Sequence, residues 1–307
     1  MKTTCTCNPR RLITNRSNPL RLDPTRTVTL RASFMARLRK IFLGVQTEVE
    51  KFMVEQDALG LKNLPGFPSF DRLVNQAERE FAFRTDAGKL EAFNSWFLAQ
   101  VNARVLFPDA SVRADQPWTT EYVESAYRRG LLNAYLGSRS SRVLKTAVIG
   151  TLTQAEFLRR AFAAPEARSK IQLLATRSLE SLKGVTSAMA SKLNFILAQG
   201  ILDGRGPVAI AREMTKEISA LTQSRAMMIA RTEIIHAHAE GQLDAFEKLG
   251  VLQLGVKAEW VTAGDDRVCP QCLPLEGQIF TVEEARGKIP LHPNCRCSWT
   301  PYLPPVK

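Results

Sequence analysis

The segment WVTAGDDRVCPQC, residues 260–272, and the closing HPNCRC, residues 292–297, decide how this chain is read. Cys269 and Cys272 stand two residues apart, and Pro270 tightens the turn between them. A C-x-x-C loop of this kind can aim both sulfurs at one point. His292, Cys295 and Cys297 then supply H-x-x-C-x-C about twenty residues on. Zinc takes four tetrahedral N/S ligands, usually as two local pairs that folding brings together. Five candidates compete for four places, so one is a spectator or a supporting group. The expected set is Cys269, Cys272, His292 and either Cys295 or Cys297.

Between the pairs, Leu275 to Arg286 reads as a short strand or hairpin around Gly277, then a short helix. Thr281 fits the N-cap of that helix, with Glu284 three residues on as its capping-box partner. Val256 to Val261 alternates enough for a strand leading into the Asp265 turn. A unit this small buries too little surface to be stable unaided. A structural zinc contributes on the order of 10 kcal/mol to folding. A structural metal therefore comes first, ahead of disulfides, which need an oxidising compartment. A catalytic metal comes last, because it keeps an open coordination position.

Upstream, a helix from about Ser224 to Gly250 carries Arg231, Glu233, His236, His238 and Glu240. This cluster admits a carboxylate–histidine catalytic site with Asp265 and Asp266. It equally admits a structural polar network of Arg231, Glu233 and Asp265, in which Asp265 accepts from Arg231. No nucleophile or base comes with an evident substrate pocket. We therefore expect the structural network and assign no catalytic residue.

The rest of the chain reads as helix. Asp23 and Pro24 look like an N-cap and first helical residue. Leu30, Phe34, Leu38, Ile41, Val45, Val49 and Phe52 then recur at helical spacing. Gly60, Pro65, Gly66 and Pro68 mark a first joint. Helices are expected at 70–83, 87–105, 118–135, 153–163 and 165–182, with Phe93, Trp96, Phe97 and Val101 as a core stripe. A second joint is expected at Lys183 to Thr186. Further helices are expected at 187–200 and from Pro207 to Ile218. The fold class is thus predominantly α: an elongated helical domain over 23–182, then a small α+β domain over 183–307 with a zinc-knuckle-like cluster at about 256–300.

The chain has 307 residues and a net charge of +12. Residues 1–45 hold ten Lys/Arg against one acid, Asp23, a net of +9. From Lys248 onward seven basic side chains face six acidic ones, a net of +1. The first 22 residues read as a basic flexible arm in which Cys5 and Cys7 are free thiols. A basic front favours nucleic acid or an acidic protein surface, with a solvated tail as the plain alternative. No apolar run approaches the ~18 residues of a membrane span. The start lacks the apolar core of a secretory signal, so reduced thiols in a cytosol are expected.

Trp260, the run Asp265 to Cys269, Cys272, Gly277 and the terminal HPNCRC resemble, in order and separation, the phage Mu F-like head morphogenesis (minor capsid) domain. Arg231, Thr232 and Glu233 match that family's Ala-Arg-Thr-Glu element. The resemblance covers Lys183 to Tyr302 and extends more weakly to Asp23–Lys40 and Trp118–Gly130. It implies a phage or prophage minor head protein at the portal vertex, acting in head assembly and DNA packaging or delivery. The implied place is the virion, internal or portal-proximal, after assembly in the host cytoplasm. Portal protein or major capsid protein are the implied partners. Packaged DNA is an expected non-specific contact through Arg31, Arg37, Arg39 and Lys40. Neither a membrane nor a small-molecule substrate is expected. The alternative is an HNH-like metal-dependent nuclease acting on phage DNA. That needs a second catalytic histidine on the metal finger, and the other two, His236 and His238, sit on a helix. An ADP-ribosyltransferase would need the Arg-Thr-Glu element on strands.

Overall fold

The first ordered feature is a cap built at a distance. Asp23 Oδ2 accepts from the backbone N–H groups of Thr27 (3.0 Å) and Val28 (3.1 Å), and its Oδ1 accepts from the Thr25 hydroxyl. The helix therefore starts at Val28, not at Pro24. This corrects the sequence expectation, and the reason is local. Arg26 takes a positive φ of 54°, so residues 24–27 form a loop under the carboxylate rather than a first turn. The capping still satisfies helix N–H groups that lack intrahelical partners.

The structure, a computed structural model, describes residues 23–63, 86–106, 117–140, 153–248 and 256–302. The basic arm at 1–22 with Cys5 and Cys7, the expected helix at 70–83 and most of the first joint lie outside the described residues. Within them, α1 spans Val28–Glu50, α2 Asp86–Val101, α3 Thr120–Ser140, α4 Gln154–Ala163, α5 Pro165–Leu202, α6 Pro207–Leu221, α7 Met227–Lys248 and α8 Val282–Ala285. The strands are β1 Lys257–Val261, β2 Ile279–Phe280 and β3 Ser298–Tyr302. The fold is predominantly α with a small α+β part at the C-terminal end carrying a Cys/His cluster.

The expected break at Lys183 to Thr186 is absent, because α5 runs through it from Pro165 to Leu202. Gly184 would meet no atom within 4 Å if it carried a Cβ, so it sits on an open face. There its cost to the helix is about 1 kcal/mol. Burial of Leu182, Val185, Met189 and Leu193 on the other face outweighs it. α6 and α7 are likewise joined by a π-helical turn, Thr222–Ala226, so the second of these helices has no start of its own at Ser224.

The chain divides into two compact units that cut across the expected boundary at 183. One consists of Met35–Trp118 and Leu179–Met227. Its core holds Leu38, Phe42, Val45 and Val49 from α1, Phe93 and Phe97 from α2, and Leu193, Ile210 and Met214. The aromatic stripe is core as expected: Phe93 stacks on Phe97 at 5.8 Å, and Trp96 stacks on Phe52 at 3.9 Å.

The other unit consists of Met1–Phe34, Thr119–Ser178 and Met228–Lys307. Here β1 lies between β2 and β3, antiparallel to both, with Trp260 opposite Trp299. Trp260, Phe280 and Trp299 pack together over the sheet. Gln242 of α7 ties the sheet to the helix. Its Nε2 donates to the Trp299 carbonyl (2.7 Å), and its Oε1 accepts from Trp299 N–H and Ser298 Oγ (both 3.0 Å). A buried amide here satisfies strand groups that no fourth strand reaches among the described residues.

α3 and α7 cross at two glycines. A Cβ on Gly130 would stand 2.0 Å from the His238 carbonyl oxygen, and one on Gly241 2.2 Å from that of Tyr127. The two backbones thus meet reciprocally, Cα–H against carbonyl.

Candidate metal centre

The turns around β1 and before β3 carry the cluster. After β1 the chain bends at Gly264, which has a φ of 66°. The Cys269 carbonyl then accepts from Cys272 N–H at 3.1 Å, folding the C-x-x-C into a turn. Thr281 caps α8 in a full capping box with Glu284, as expected. The HPNC turn follows, with Cys295 N–H donating to the His292 carbonyl at 3.1 Å. It docks on α7, where Thr232 Oγ1 accepts from Asn294 N–H at 3.4 Å.

All five predicted donors come together. Cys269, Cys272 and His292 form one close group, and Cys272, Cys295 and Cys297 another, with the donor atoms of each within 4.8 Å. Cys272 belongs to both. The four cysteines are buried free thiols. His292 Nε2 lies 2.9 Å from Cys269 Sγ and 3.1 Å from Cys272 Sγ, and Cys272 Sγ lies 3.9 Å from Cys295 Sγ. A tetrahedral zinc sets sulfur–sulfur edges of ~3.8 Å and sulfur–nitrogen edges of ~3.5 Å. The sulfur edge fits, and the nitrogen edges are a few tenths of an ångström tighter.

Two further features suit a metal. His292 Nδ1 sits 2.8 Å from the Pro293 carbonyl oxygen, so Nδ1 carries the proton and Nε2 keeps its lone pair toward the sulfurs. The Trp260 indole nitrogen is buried without a hydrogen-bond partner, and its influence falls on Cys297. A thiolate there gives that donor an acceptor. Hydrogen bonds from Cys272 and Cys297 pull the Cys295 thiol down, whereas the hydrogen bond to Cys295 pushes Cys272 up. Metals bind the thiolate form, which an ion at this cluster would favour. These groups could hold a metal ion, and the sulfur-rich set suits a soft or borderline one.

The polar network differs from the expectation. Asp265 accepts from Arg296, not Arg231: Arg296 Nη1 reaches Oδ2 at 2.7 Å and Nη2 reaches Oδ1 at 2.5 Å. Arg267 adds a bond to Oδ2 at 2.9 Å. The Arg296 bond, with that from Arg267, holds the Asp265 carboxyl down at about 2. Spacing along a helix could not separate Arg231 from an arginine between the last two cysteines. Arg231 contacts Asn294 Oδ1 at 3.5 Å. Glu233 is buried, with Arg177 Nε 3.7 Å away.

A second network went unread in the sequence. Asp244 accepts from the Tyr127 hydroxyl and from Lys170 Nζ (2.6 Å), and forms an ion pair with Arg286 Nη2 (2.8 Å). Arg286 also donates to Glu240 Oε2 at 2.9 Å. Burial works to raise the Asp244 carboxyl, but hydrogen bonds from Lys170 and Tyr127 hold it below its ordinary value. The available signal was the acidic stripe Glu240, Asp244, Glu247 on one helix face, which calls for a basic partner.

Of the basic residues assigned to nucleic acid, Arg31 is turned inward onto Asp23 at 3.0 Å. The Arg37 guanidinium lies over the Trp118 ring, 4.9 Å from its centroid. Arg39 and Lys40 are exposed on α1.

The histidines of α7 are not at the cluster's service. His238 is fully buried, and neither ring nitrogen has a hydrogen-bond partner among the described residues. Burial holds it down at about 3, with Arg31 and Arg129 adding to the effect and Asp23 opposing it. His236 is held at about 4 by burial and by Arg177, whose Nη1 lies 2.9 Å from Nδ1, against an opposing pull from Glu240. Both folded values lie below the ordinary histidine value, so folding favours the neutral rings. Their contribution is complete above pH ~6.5 and is lost as pH falls toward 4. Together they should remove on the order of 3 kcal/mol between pH 7 and pH 5. Thermal melting followed by circular dichroism should show the drop, and the double variant His236→Gln, His238→Leu should flatten it. A wild-type melting temperature constant over that range would contradict this account.

Residues 191–300 match the model of the family described as Phage Mu protein F like protein. This segment is Mu F-like. The match takes in all five candidate metal donors, as well as Arg231, Glu233 and Asp265. No curated protein and no solved structure matches the chain. The Mu F-like segment includes the end of α5, all of α6 and α7, and the metal unit as far as β3. The match points to a phage head morphogenesis protein. Among the described residues no helix is long and apolar enough to cross a membrane.

Proposed function

We propose that this chain is a minor capsid protein of a phage or prophage head, associated with the portal vertex and acting in head assembly and DNA packaging or delivery. The observation that carries the reading is the Mu F-like match over residues 191–300. Its partners are the portal protein or the major capsid protein, and it resides in the virion, at or near the portal, after assembly in the host cytoplasm. The Cys/His cluster is a structural zinc site. Cys269, Cys272 and His292 hold the ion together with Cys295 or Cys297, and zinc, when bound, cross-links the turn after β1 to the turn before β3. Five N/S donors for four tetrahedral places leave no coordination position open to substrate, which supports a structural role over a catalytic one.

Quantitative mass spectrometry of purified particles and procapsids tests the reading. The chain should appear at a copy number near that of the portal ring. Absence from both, with abundance in the lysate, would replace it with a soluble factor.

A further inference from the structure

We propose that the mouth of the cavity beside the cysteine cluster binds a phosphate oxyanion, supplied by the backbone of nucleic acid. The proposal rests on the head-protein reading only for the DNA that supplies the phosphate. A cavity of about 170 Å³ opens there, walled by Arg231, Arg267, Arg296, Asn294 and Thr262 beside the sulfur and imidazole donors. Asp265 pairs with two of these three guanidinium groups. Arg296 takes both of its oxygens and Arg267 shares one. Arg231 is exposed at the rim, and its bond to Asn294 is long, at 3.5 Å. No carboxylate lies within 4.0 Å of it among the described residues.

The charges decide what would enter. Three arginines against one aspartate leave two positive charges at the rim. Three thiolates and a neutral imidazole around a divalent ion carry one negative charge, which does not cancel them. Arg231 and Arg296 each lie close enough to Arg31 to act on it electrostatically, and Arg31 is matched by Asp23. Arg231 is therefore left with N–H donors and positive charge but little to accept them. Guanidinium forks bind phosphate and carboxylate alike. The donors here stand on more than one wall, which suits a tetrahedral oxyanion better than a planar carboxylate. The chain's net charge of +12 draws a polyanion to the surface as a whole. The site also supplies a phosphate contact where Arg31, turned onto Asp23, cannot.

The test uses the full chain loaded with zinc and a short fluorescein-labelled duplex of scrambled sequence, titrated across a salt series. Arg231→Ala should weaken binding about tenfold and reduce the slope of log K against log salt by about one. Arg267→Ala, at a second exposed rim position, should act in the same direction. Arg212→Ala, which removes an exposed arginine of α6 outside the cavity, should change affinity less than about twofold. Calorimetric titration with inorganic phosphate forms a second arm. Phosphate binding lost in Arg231→Ala while the duplex binds unchanged would assign the site to free phosphate and overturn the nucleic-acid source. Duplex and phosphate binding both unchanged in Arg231→Ala, or an equal loss in Arg212→Ala, would overturn the site. Metal content and melting are measured on the same samples. Failure with zinc retained counts against the anion site alone, whereas absence of the chain from particles counts against the head-protein reading.

Discussion

Cys272→Ser, made in the full chain, should lose the metal and lower the melting temperature by at least about 10 °C, given zinc contributions on the order of 10 kcal/mol. Its effect should be the largest of the single cysteine changes, because Cys272 alone belongs to both donor groups. With one side chain gone, neither group can close around an ion, and a hydroxyl replaces the sulfur of a residue that is 2% exposed. The same measurement on Cys295→Ser and Cys297→Ser separates the fourth ligand from the spare. The variant that keeps one zinc per chain and melts near the wild type identifies the spare. A Cys272→Ser chain with full zinc and unchanged melting would end the metal reading. Zinc measured by plasma mass spectrometry after dialysis against a weak chelator gives the content independently of stability.

Gly241→Ala should be nearly as damaging without touching the metal. Its new methyl would lie 2.2 Å from the Tyr127 carbonyl oxygen and 3.0 Å from the carbonyl carbon. Both are backbone atoms in α3, so no rotamer change relieves the contact. The helices must separate by an ångström or more, and buried contacts along their crossing weaken together. We expect a loss of about 4 kcal/mol or more, beyond the usual cost of an overpacked core. Gly130→Ala meets the His238 carbonyl oxygen at 2.0 Å and should cost a similar amount. One separation accommodates both methyls, so the double variant should lose clearly less than the sum. Chemical denaturation of the three variants decides it. Strict additivity, or a loss under 1 kcal/mol for either single change, would show that the crossing is looser than described.

What was legible in the sequence was what the sequence encodes within a few residues. The C-x-x-C turn, the Thr281–Glu284 capping box and the strand before Asp265 each depend on near neighbours. All three stand where they were expected. The Asp-Pro start at residue 23 carries equally local information and misled by a few residues. The carboxylate caps a helix from beyond a loop, and only Arg26's left-handed backbone makes that reach possible. Gly184-Val185-Thr186 looked like a joint because local propensity opposes helix there. Burial along the opposite face of α5 prevails. Partner choice was the least legible. Nothing in spacing says that Asp265 would select Arg296 over Arg231, or that Arg286 would reach Asp244 on α7. Those choices follow from how distant segments fold back, to which a single sequence gives no direct witness.

The unit that carries the cluster is assembled from three stretches of chain, the first ending at Phe34 and the last beginning at Met228. On a ribosome these emerge far apart in time. The Asp23 loop and α3 must wait, without their α7 partner, until the glycine of the α7 crossing has been made. The sheet waits longer, since β3 ends at Tyr302. The interposed stretch, Leu179–Met227, is complete well before that, and with Met35–Trp118 it forms the other unit. Synthesis therefore imposes an order: the unit without thiols can close first, and the thiol-bearing unit can close only once β3 has been made. Because its contacts span most of the chain, its closure should be the slow step of folding. A chain truncated before β3 should then hold a protease-resistant core from the first unit beside a segment that is cut readily.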